Sequence, residues 1–220
     1  MADLVIFGTG DIARLAHYYF STDTNFRVAG FTVDAAYREG DEFLGLPLVD
    51  FETVELRFSP SSYQLFVALS YAKMNRLRAE KYARSRDKGY VLATYLSSRC
   101  TWLTDTPPGD NCFILEDNTV QPFVRIGNNV TLWSGNHIGH DSVIEDHCFL
   151  ASQIVVSGRV TIRPYCFVGV NATLRNAITV APATLIGGGA IIMKDTVENG
   201  VYVPKRAELL IGRNSFDVEL

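Results

Sequence analysis

Residues 137–156, HIGHDSVIEDHCFLASQIVV, carry a branched aliphatic residue at every sixth position. The same spacing continues on both sides, and fourteen successive positions, from Ile114 to Ile192, are Ile, Leu or Val. The position four residues after each of them is usually small or aliphatic, as at Val124 and Cys148. A period of six fits neither the 3.6-residue period of an α-helix nor the two-residue alternation of a hairpin. It indicates a parallel β-helix, in which each six-residue unit forms a short strand and a turn, with the aliphatic side chains inside.

The composition argues against two broad classes of partner. The chain has 220 residues, which is room for one large domain or two small ones. Its formal net charge of −4 gives no general attraction to nucleic acid or to an anionic membrane. No apolar run approaches membrane-spanning length, and the N-terminal MADLVIFGTG lacks the basic-then-apolar pattern of a signal peptide. We therefore expect a cytoplasmic protein that binds neither nucleic acid nor membrane.

The N-terminal part has a different pattern. Apolar runs that are typical of strands, at residues 4–7 and 63–69, alternate with segments that are typical of helices. This alternation predicts a small parallel α/β sheet. The sequence Pro107-Pro108-Gly109-Asp110 is typical of a turn between domains. We therefore predict an α/β domain over residues 1–106 and an all-β parallel β-helix over residues 107–220.

The first turn of the α/β domain suits a phosphate. Gly8-Thr9-Gly10-Asp11-Ile12-Ala13 matches G-x-G-x-x-A, with Asp11 as the predicted helix cap. Glycines in this pattern let backbone N–H groups and a helix N-terminus approach a phosphate. Asp34 ends the second predicted strand, where a carboxylate could accept hydrogen bonds from a ribose or a base. A tight turn without ligand explains these residues equally well, and a nicotinamide site is a further alternative that no hydride-transfer residues support.

The second predicted helix, over residues 72–88, is strongly basic. Its face is either simply solvated or steers an anionic nucleotide. The basic residues are Lys73, Arg76, Arg78, Lys81, Arg84, Arg86 and Lys88.

The six-residue repeat resembles that of the left-handed β-helix acyltransferases, in which three units make one 18-residue, three-sided coil. With that coil length, residues 18 apart lie on neighbouring coils. Cys148 and Cys166 have this spacing and occupy the small interior position, so we expect them to stack as buried apolar groups. Inward-facing thiols cannot meet a substrate, and neither a disulfide nor a zinc site is favoured.

Three histidines cluster in the repeat, at His137, His140 and His147, but each has a different phase in its six-residue unit. Convergence on one metal ion is therefore not expected, and no metal is predicted. Gly158 lies 18 residues after His140, so the two should be about 4.8 Å apart along the stack. A glycine there leaves a backbone N–H open beside an imidazole. A base next to an oxyanion donor is what acyl transfer to an amine needs.

A closer resemblance rests on four further motifs. They are Ser142-Val143-Ile144-Glu145 after His140-Asp141, then SGRVTI at residues 157–162, CFVG at 166–169 and IGGGA at 186–190. Together they resemble the nucleotide-sugar N-acetyltransferases of the bacillosamine and perosamine pathways. That family pairs a small Rossmann-like N-terminal domain with a left-handed β-helix, so the resemblance covers essentially the whole chain.

The resemblance implies a role for each matching position. His140 is the implied general base, Asp141 its orienting carboxylate, and the Gly158 amide the donor to the thioester carbonyl. The implied path of coenzyme A passes Val170 and Gly188. The implied nucleotide site consists of Gly8, Gly10 and Asp34. The orienting residue here is Asp, where some members have the longer Glu.

The implied function is transfer of an acetyl group from acetyl-CoA to the amine of a nucleotide-linked amino-dideoxy sugar, with a 4-amino-4,6-dideoxyhexose as the expected acceptor. Such sugars belong to O-antigen and lipopolysaccharide biosynthesis. The resemblance also implies a homotrimer, with coenzyme A between neighbouring β-helices. Three alternatives stay open: an O-acetyltransferase acting on a sugar hydroxyl, as for sialic acid, a non-catalytic or metal-dependent β-helix protein, and a nicotinamide-dependent reductase.

Overall fold

The computed structural model describes residues 2–205, 207–209, 211, 214 and 216. An N-terminal α/β unit precedes a stack of short parallel strands. The N-terminal elements are β1 (Ala2–Phe7), α1 (Asp11–Asp23), β2 (Phe26–Val33), β3 (Glu42–Phe43), β4 (Leu46–Asp50), β5 (Tyr63–Val67) and α2 (Arg76–Asp87), with 3₁₀ turns at Ala35–Tyr37 and Phe51–Leu56. Neither of the helices in these described ranges is long and apolar enough to span a bilayer.

The remaining strands form three sheets, which we call faces 1, 2 and 3 of a prism. Face 1 contains β6 (Tyr95–Leu96), β8 (Phe113–Ile114), β11 (Thr131–Leu132), β14 (Phe149–Leu150), β17 (Phe167–Val168), β20 (Leu185–Ile186) and β22 (Val201–Tyr202). Face 2 contains β7 (Thr101–Trp102), β9 (Thr119–Val120), β12 (His137–Ile138), β15 (Val155–Val156), β18 (Thr173–Leu174) and β21 (Ile191–Ile192). Face 3 contains β10 (Arg125–Ile126), β13 (Val143–Ile144), β16 (Thr161–Ile162) and β19 (Thr179–Val180).

The strand register confirms the predicted coil. Neighbouring strands in the repeat are parallel and pair residues 18 apart, as Ile138 pairs with Val156 and Leu150 with Val168. All fourteen aliphatic positions from Ile114 to Ile192 are buried in one cluster inside the prism. Stacked parallel strands on three faces fit a left-handed β-helix. The stack also takes in β6 and β7, which lie before the predicted boundary at residue 107.

The corners of the prism have a regular backbone conformation. The third residue of each four-residue turn has a positive φ, with Asp141 at +59° and Tyr165 at +63°. A single left-handed residue lets the chain turn sharply between two faces while its neighbours remain in register. Corner residues therefore project outward at intervals of one coil, which is the geometry that places candidate site residues above one another.

The N-terminal sheet has the order β3-β4-β2-β1-β5, and all its pairings except β3 with β4 are parallel. α1 begins at Asp11 with Gly10 as its N-cap and no side-chain cap, so Asp11 is not the cap that the sequence suggested. α2 begins at Arg76, four residues later than predicted, because Lys73, Met74 and Asn75 form a left-handed turn. The Rossmann-like character of this unit stays a prediction.

α2 joins the N-terminal unit to face 1 of the prism. Arg78 is buried, and its guanidinium donates to Thr131 Oγ1 at 3.1 Å and to the carbonyl oxygens of Asn129 and Cys148 at 3.1 and 3.0 Å. Lys81 is also buried. Neither of the two interpretations of the basic helix holds for these residues, because they face the protein interior rather than solvent or a nucleotide.

Candidate active site

The corner between faces 2 and 3 brings His140, Asp141 and Gly158 together. Asp141 Oδ2 lies 2.7 Å from His140 Nδ1, so the carboxylate accepts a hydrogen bond from that nitrogen and leaves Nε2 free to act as a base. A Cβ placed on Gly158 would lie 2.6 Å from His140 Nε2 and 2.8 Å from Cε1. The imidazole therefore lies directly over the backbone of the next coil. His140 and Asp141 side chains are half exposed, so a substrate can reach them.

The amide of Gly158 is open to a ligand. The neighbouring amides are used by the stack, since Ser157 N donates to Leu174 O and Arg159 N donates to His140 O. Within the described part of the chain, no atom accepts a hydrogen bond from Gly158 N. Gly139 contributes to this opening, because a Cβ there would lie 2.6 Å from Gly158 N. The site thus pairs a free imidazole nitrogen with an unused backbone donor.

Two residues to which the sequence assigned no role, Ser142 and Gln121, hold this corner. Ser142 is buried, and its Oγ donates to Ser157 O at 3.1 Å and accepts from Val160 N at 3.1 Å, which fastens the coil of the base to the coil of Gly158. Gln121, one coil earlier, accepts the backbone N–H of His140 on its Oε1 at 2.9 Å. A search of positions about 18 residues from each candidate would have drawn attention to Gln121.

Val170 and Gly188 lie on a different corner, between faces 1 and 2. They line a cleft of about 460 Å³, the corner groove, which also contacts Ile12, Tyr71, Trp133, Phe149, Ala151, Ser152, Phe167 and Gly169. Glycine is required at 169, since a Cβ there would lie 2.5 Å from Gly188 N. The walls are mainly aromatic and aliphatic, with exposed backbone at the glycine-rich corner. Such a surface suits an extended, largely apolar chain that carries a few amide groups.

Gly8 and Gly10 lie where the chain leaves β1. Gly8 has φ +125°, and a Cβ on it would lie 2.9 Å from the Ala68 carbonyl oxygen, so only glycine fits. A second cleft of about 430 Å³, the turn groove, lies beside Gly10. Its other lining residues are Asp11, Ile12, Ala68, Leu69, Ser70, Tyr71 and Trp133. The chain leaves β1 through α1 toward β2 on one side of the sheet, and leaves β5 through α2 toward Leu92 on the other side. Parallel α/β sheets most often bind ligands at the carboxyl ends of two such neighbouring strands.

The two grooves are continuous, because Ile12, Tyr71 and Trp133 line both. Tyr71 packs on Phe149 and Phe167 of face 1, with ring centroids 5.0 and 4.6 Å apart. A ligand could therefore extend from the glycine turn of the N-terminal unit to the Val170–Gly188 corner of the prism.

Asp34 is not free in this structure. Its carboxylate lies 2.7 Å from Lys81 Nζ and 3.7 Å from Arg84 Nη1. The Lys81 side chain is buried, so this ion pair is shielded from water. Asp34 follows β2, next to the end of β1, but it lines neither of the two grooves. Its role in nucleotide binding stays a prediction.

The cysteines and the other two histidines of the repeat occupy other positions in the prism. Cys148 and Cys166 stack inside the prism as predicted, and burial raises the pKa of Cys112 to about 12 and that of Cys148 well above its usual value. His137 lies on face 2, while His147 lies at the corner between faces 3 and 1. Among the described residues, no three His, Cys, Asp or Glu side chains converge as metal ligands would.

No protein-family model matches the chain, and no curated protein matches it. Several solved structures share its fold. A variant of perosamine N-acetyltransferase from Caulobacter crescentus, in complex with CoA and GDP-perosamine, has a TM-score of 0.80 at 21% identity, over 93% of this chain and 94% of that chain.

Two further structures agree with this match. WeeI from Acinetobacter baumannii AYE has a TM-score of 0.79 at 15% identity, over 93% of this chain and 97% of that chain. The acetyltransferase domain of PglB from Neisseria gonorrhoeae FA1090 has a TM-score of 0.58 at 16% identity, over 96% of this chain and all of that chain. Along nearly its whole length, the chain is similar in fold to these three structures.

Proposed function

We propose that this chain transfers an acetyl group from acetyl-CoA to the amine of a nucleotide-linked amino-dideoxy sugar. The observation that carries the proposal is the position of His140 Nε2, 2.6 Å from where a Cβ on Gly158 would lie, beside the open Gly158 amide. The fold shared with perosamine N-acetyltransferase, whose structure contains CoA and GDP-perosamine, supports the choice of donor and acceptor. The expected location is the cytoplasm, where acetyl-CoA and nucleotide sugars are available.

The reaction needs no covalent intermediate on the protein. The amine attacks the thioester carbonyl, the Gly158 N–H stabilises the oxyanion that develops, and His140 Nε2 accepts the proton that the amine loses. Collapse of the intermediate breaks the C–S bond, and the proton passes from His140 to the departing thiolate. Asp141 holds the imidazole in the tautomer with Nδ1 protonated and stabilises the imidazolium. Binding both substrates in one site removes much of the entropic barrier.

The active site forms between two copies of the chain. In one copy the base and the corner groove lie on different corners, but both corners flank face 2. Face 2 presents exposed apolar side chains, including Val155 and Ile191. Three copies that turn face 2 toward a common axis would bury these side chains and bring the His140 corner of one against the Val170–Gly188 corner of the next. We therefore expect a homotrimer in which coenzyme A lies between neighbouring prisms.

Each substrate has a matching part of the groove. The corner groove receives the pantetheine arm, whose amide carbonyl oxygens can accept hydrogen bonds from the unused backbone N–H groups of Val170 and Gly188. The turn groove receives the nucleotide, with its phosphates at the uncapped N-terminus of α1 beside Gly8 and Gly10. Asp34 would bind the ribose or the base through a carboxylate lone pair that its ion pairs with Lys81 and Arg84 leave free. The apolar wall formed by Tyr71 and Trp133 favours a deoxy sugar over one rich in hydroxyl groups.

The experiment is a release assay for the coenzyme A thiol with UDP-, dTDP- and GDP-linked 4-amino-4,6-dideoxyhexoses and their 4-hydroxy analogues. We expect turnover with one amino sugar and loss of about 10²–10⁴-fold of kcat in His140→Ala, with coenzyme A binding retained. His147→Gln, at the corner between faces 3 and 1 and outside face 2, is the control. Turnover of only the hydroxy analogue would make the protein an O-acetyltransferase. Near-normal turnover by His140→Ala would remove the base assignment.

The shared site has its own test. His140→Ala lacks the base, and Gly188→Trp blocks the corner groove, so a trimer of either variant alone should be inactive. Mixed trimers contain interfaces with an intact base from one copy and an intact groove from the next, and random mixing should restore about a quarter of the wild-type rate. No recovery in trimers shown by mass to be mixed would mean that each chain has a complete site of its own.

A further inference from the structure

Gln121 reaches the backbone of the candidate base from the preceding coil. Its Oε1 accepts the His140 N–H at 2.9 Å. Its own backbone N–H donates to Ile138 O at 3.0 Å, so the residue is fixed in the ladder that joins the two coils. His140 is followed by the left-handed Asp141, and this hydrogen bond fixes the turn from which both side chains project.

The hydrogen bond from His140 N–H to Gln121 Oε1 also leaves the Gly158 N–H as the free amide at this corner. The equivalent position one coil earlier is Pro122, which has no N–H. The His140 N–H is occupied by Gln121, and the next N–H along the stack, that of Gly158, is open. Of these three successive positions, only Gly158 offers a donor to an oxyanion next to the imidazole.

We infer that Gln121 is a positioning residue for the acyl-transfer reaction, an inference that rests on the function proposed above. Its carboxamide holds His140 over Gly158 and keeps the His140 amide from competing for the acyl oxygen. It acts through the base and does not itself contact the reacting atoms. The inference goes beyond the resemblance, which assigns no role to this position.

Gln121→Leu removes the acceptor while keeping the size of the side chain. Loss of one hydrogen bond to the turn should lower kcat about tenfold and leave KM for both substrates within about twofold, because neither groove changes. Gln121→Glu keeps an acceptor oxygen in place and should therefore retain most of kcat. Its added negative charge stabilises the nearby imidazolium, so the acid limb of the kcat/KM profile should move to higher pH.

Asn128→Ala is the matched control. Asn128 Oδ1 accepts the Asp110 N–H at 3.1 Å, a corner hydrogen bond of the same type at the corner between faces 3 and 1, away from the base. Asn128→Ala should lower the melting temperature about as much as Gln121→Leu but leave kcat unchanged. If Gln121→Leu keeps wild-type kcat, or if Gln121→Glu loses as much as Gln121→Leu with no change in pH profile, the inference is wrong.

Nuclear magnetic resonance measurements on the protein without substrates test the role of Gln121 independently of the proposed function. In the wild-type protein, nuclear Overhauser contacts should join the His140 ring to the Gly158 α-protons, and the His140 amide should exchange slowly with solvent. Gln121→Leu should weaken these contacts and speed the exchange, whereas Asn128→Ala should change neither. Failure of every amino sugar to react would overturn the proposed function and leave these measurements valid. Unchanged spectra in Gln121→Leu would overturn the positioning role alone.

Discussion

Substitution of Gly158 by alanine should disturb the position of His140 without lowering the stability of the fold. The new Cβ would lie 2.6 Å from His140 Nε2, 2.8 Å from Cε1 and 3.0 Å from Cδ2, and the first two distances are shorter than non-bonded atoms allow. All three atoms belong to the end of a half-exposed side chain that can rotate away. The backbone N–H of residue 158 is unaffected. Alanine should therefore displace the base and leave the oxyanion donor in place.

The expected magnitudes follow from these contacts. The φ of Gly158 is not in the left-handed region, so alanine is tolerated, and the free energy of unfolding should change by less than about 1 kcal/mol. Loss of a correctly placed general base costs about 10²–10⁴-fold in rate, which corresponds to about 3–5 kcal/mol of transition-state stabilisation. The rate of thiol release should therefore fall steeply in this variant, while its thermal unfolding should stay close to that of the wild-type protein.

Gly169→Ala is the contrasting control. Its Cβ would lie 2.5 Å from Gly188 N, a backbone atom of the next coil that cannot rotate away. The clash is about as severe as that of Gly158→Ala, but here it should lower the free energy of unfolding by about 1–3 kcal/mol. A double-mutant cycle gives the decisive result, because Gly158→Ala should lower the activity of His140→Ala no further. An additional loss in that background, or near-normal turnover in Gly158→Ala alone, would refute the reasoning.

Three further predictions test other parts of the structure. Asp141→Asn should keep the fold but lower kcat about 10–100-fold, because the tautomer of His140 is no longer fixed, and turnover measured across pH should show it. Arg78→Met should lower the free energy of unfolding by about 2–4 kcal/mol in denaturant titrations, since three hydrogen bonds between α2 and the prism are lost; an unchanged midpoint would contradict it. Burial lowers the pKa of His147, so its contribution to stability is complete above the unfolded pKa of about 6.5 and is lost as pH falls below it. His147→Gln should therefore reduce the loss of stability between about pH 7.5 and 5.5, measured by denaturant titration at both pH values.

The sequence predicted the interior of the prism best. A six-residue period of aliphatic residues has one physical explanation, and every one of these residues proved to be buried. The 18-residue coil, which the resemblance to left-handed β-helix acyltransferases implied, then placed Gly158 above His140. The interior could be predicted because every coil requires an aliphatic residue at the same positions. A pattern that recurs fourteen times is not explained by a chance match at any one position.

The corners and the domain junction could not be predicted in the same way. Phe123, Tyr165 and Ala177 adopt positive φ, although none of these residue types favours it, because strand pairing on both sides imposes the turn. The burial of Arg78 depends on where α2 packs, which a helix composition does not reveal. A basic helix looks the same in the sequence whether its arginines face water or the carbonyl groups of another domain.

The distribution of unused backbone donors supports the location of the site more generally. At the corner between faces 3 and 1, two of the turn positions equivalent to His140 are prolines without an N–H, Pro164 and Pro182, and two have amides that donate to side chains of the next coil, Asp110 and Asn128. Among the described residues, only the Asp146 amide at this corner is without a protein acceptor. At the two corners that flank face 2, the corresponding amides of the described residues are mostly without a protein acceptor; they include those of Ser152, Gly158, Val170 and Gly188. An open backbone amide needs an acceptor from water, a ligand or a partner protein, so an apolar surface packed against these two corners would be unfavourable. In the proposed trimer we therefore expect a polar cleft along each edge of face 2, in which an extended thioester pairs with the open amides and reaches the imidazole.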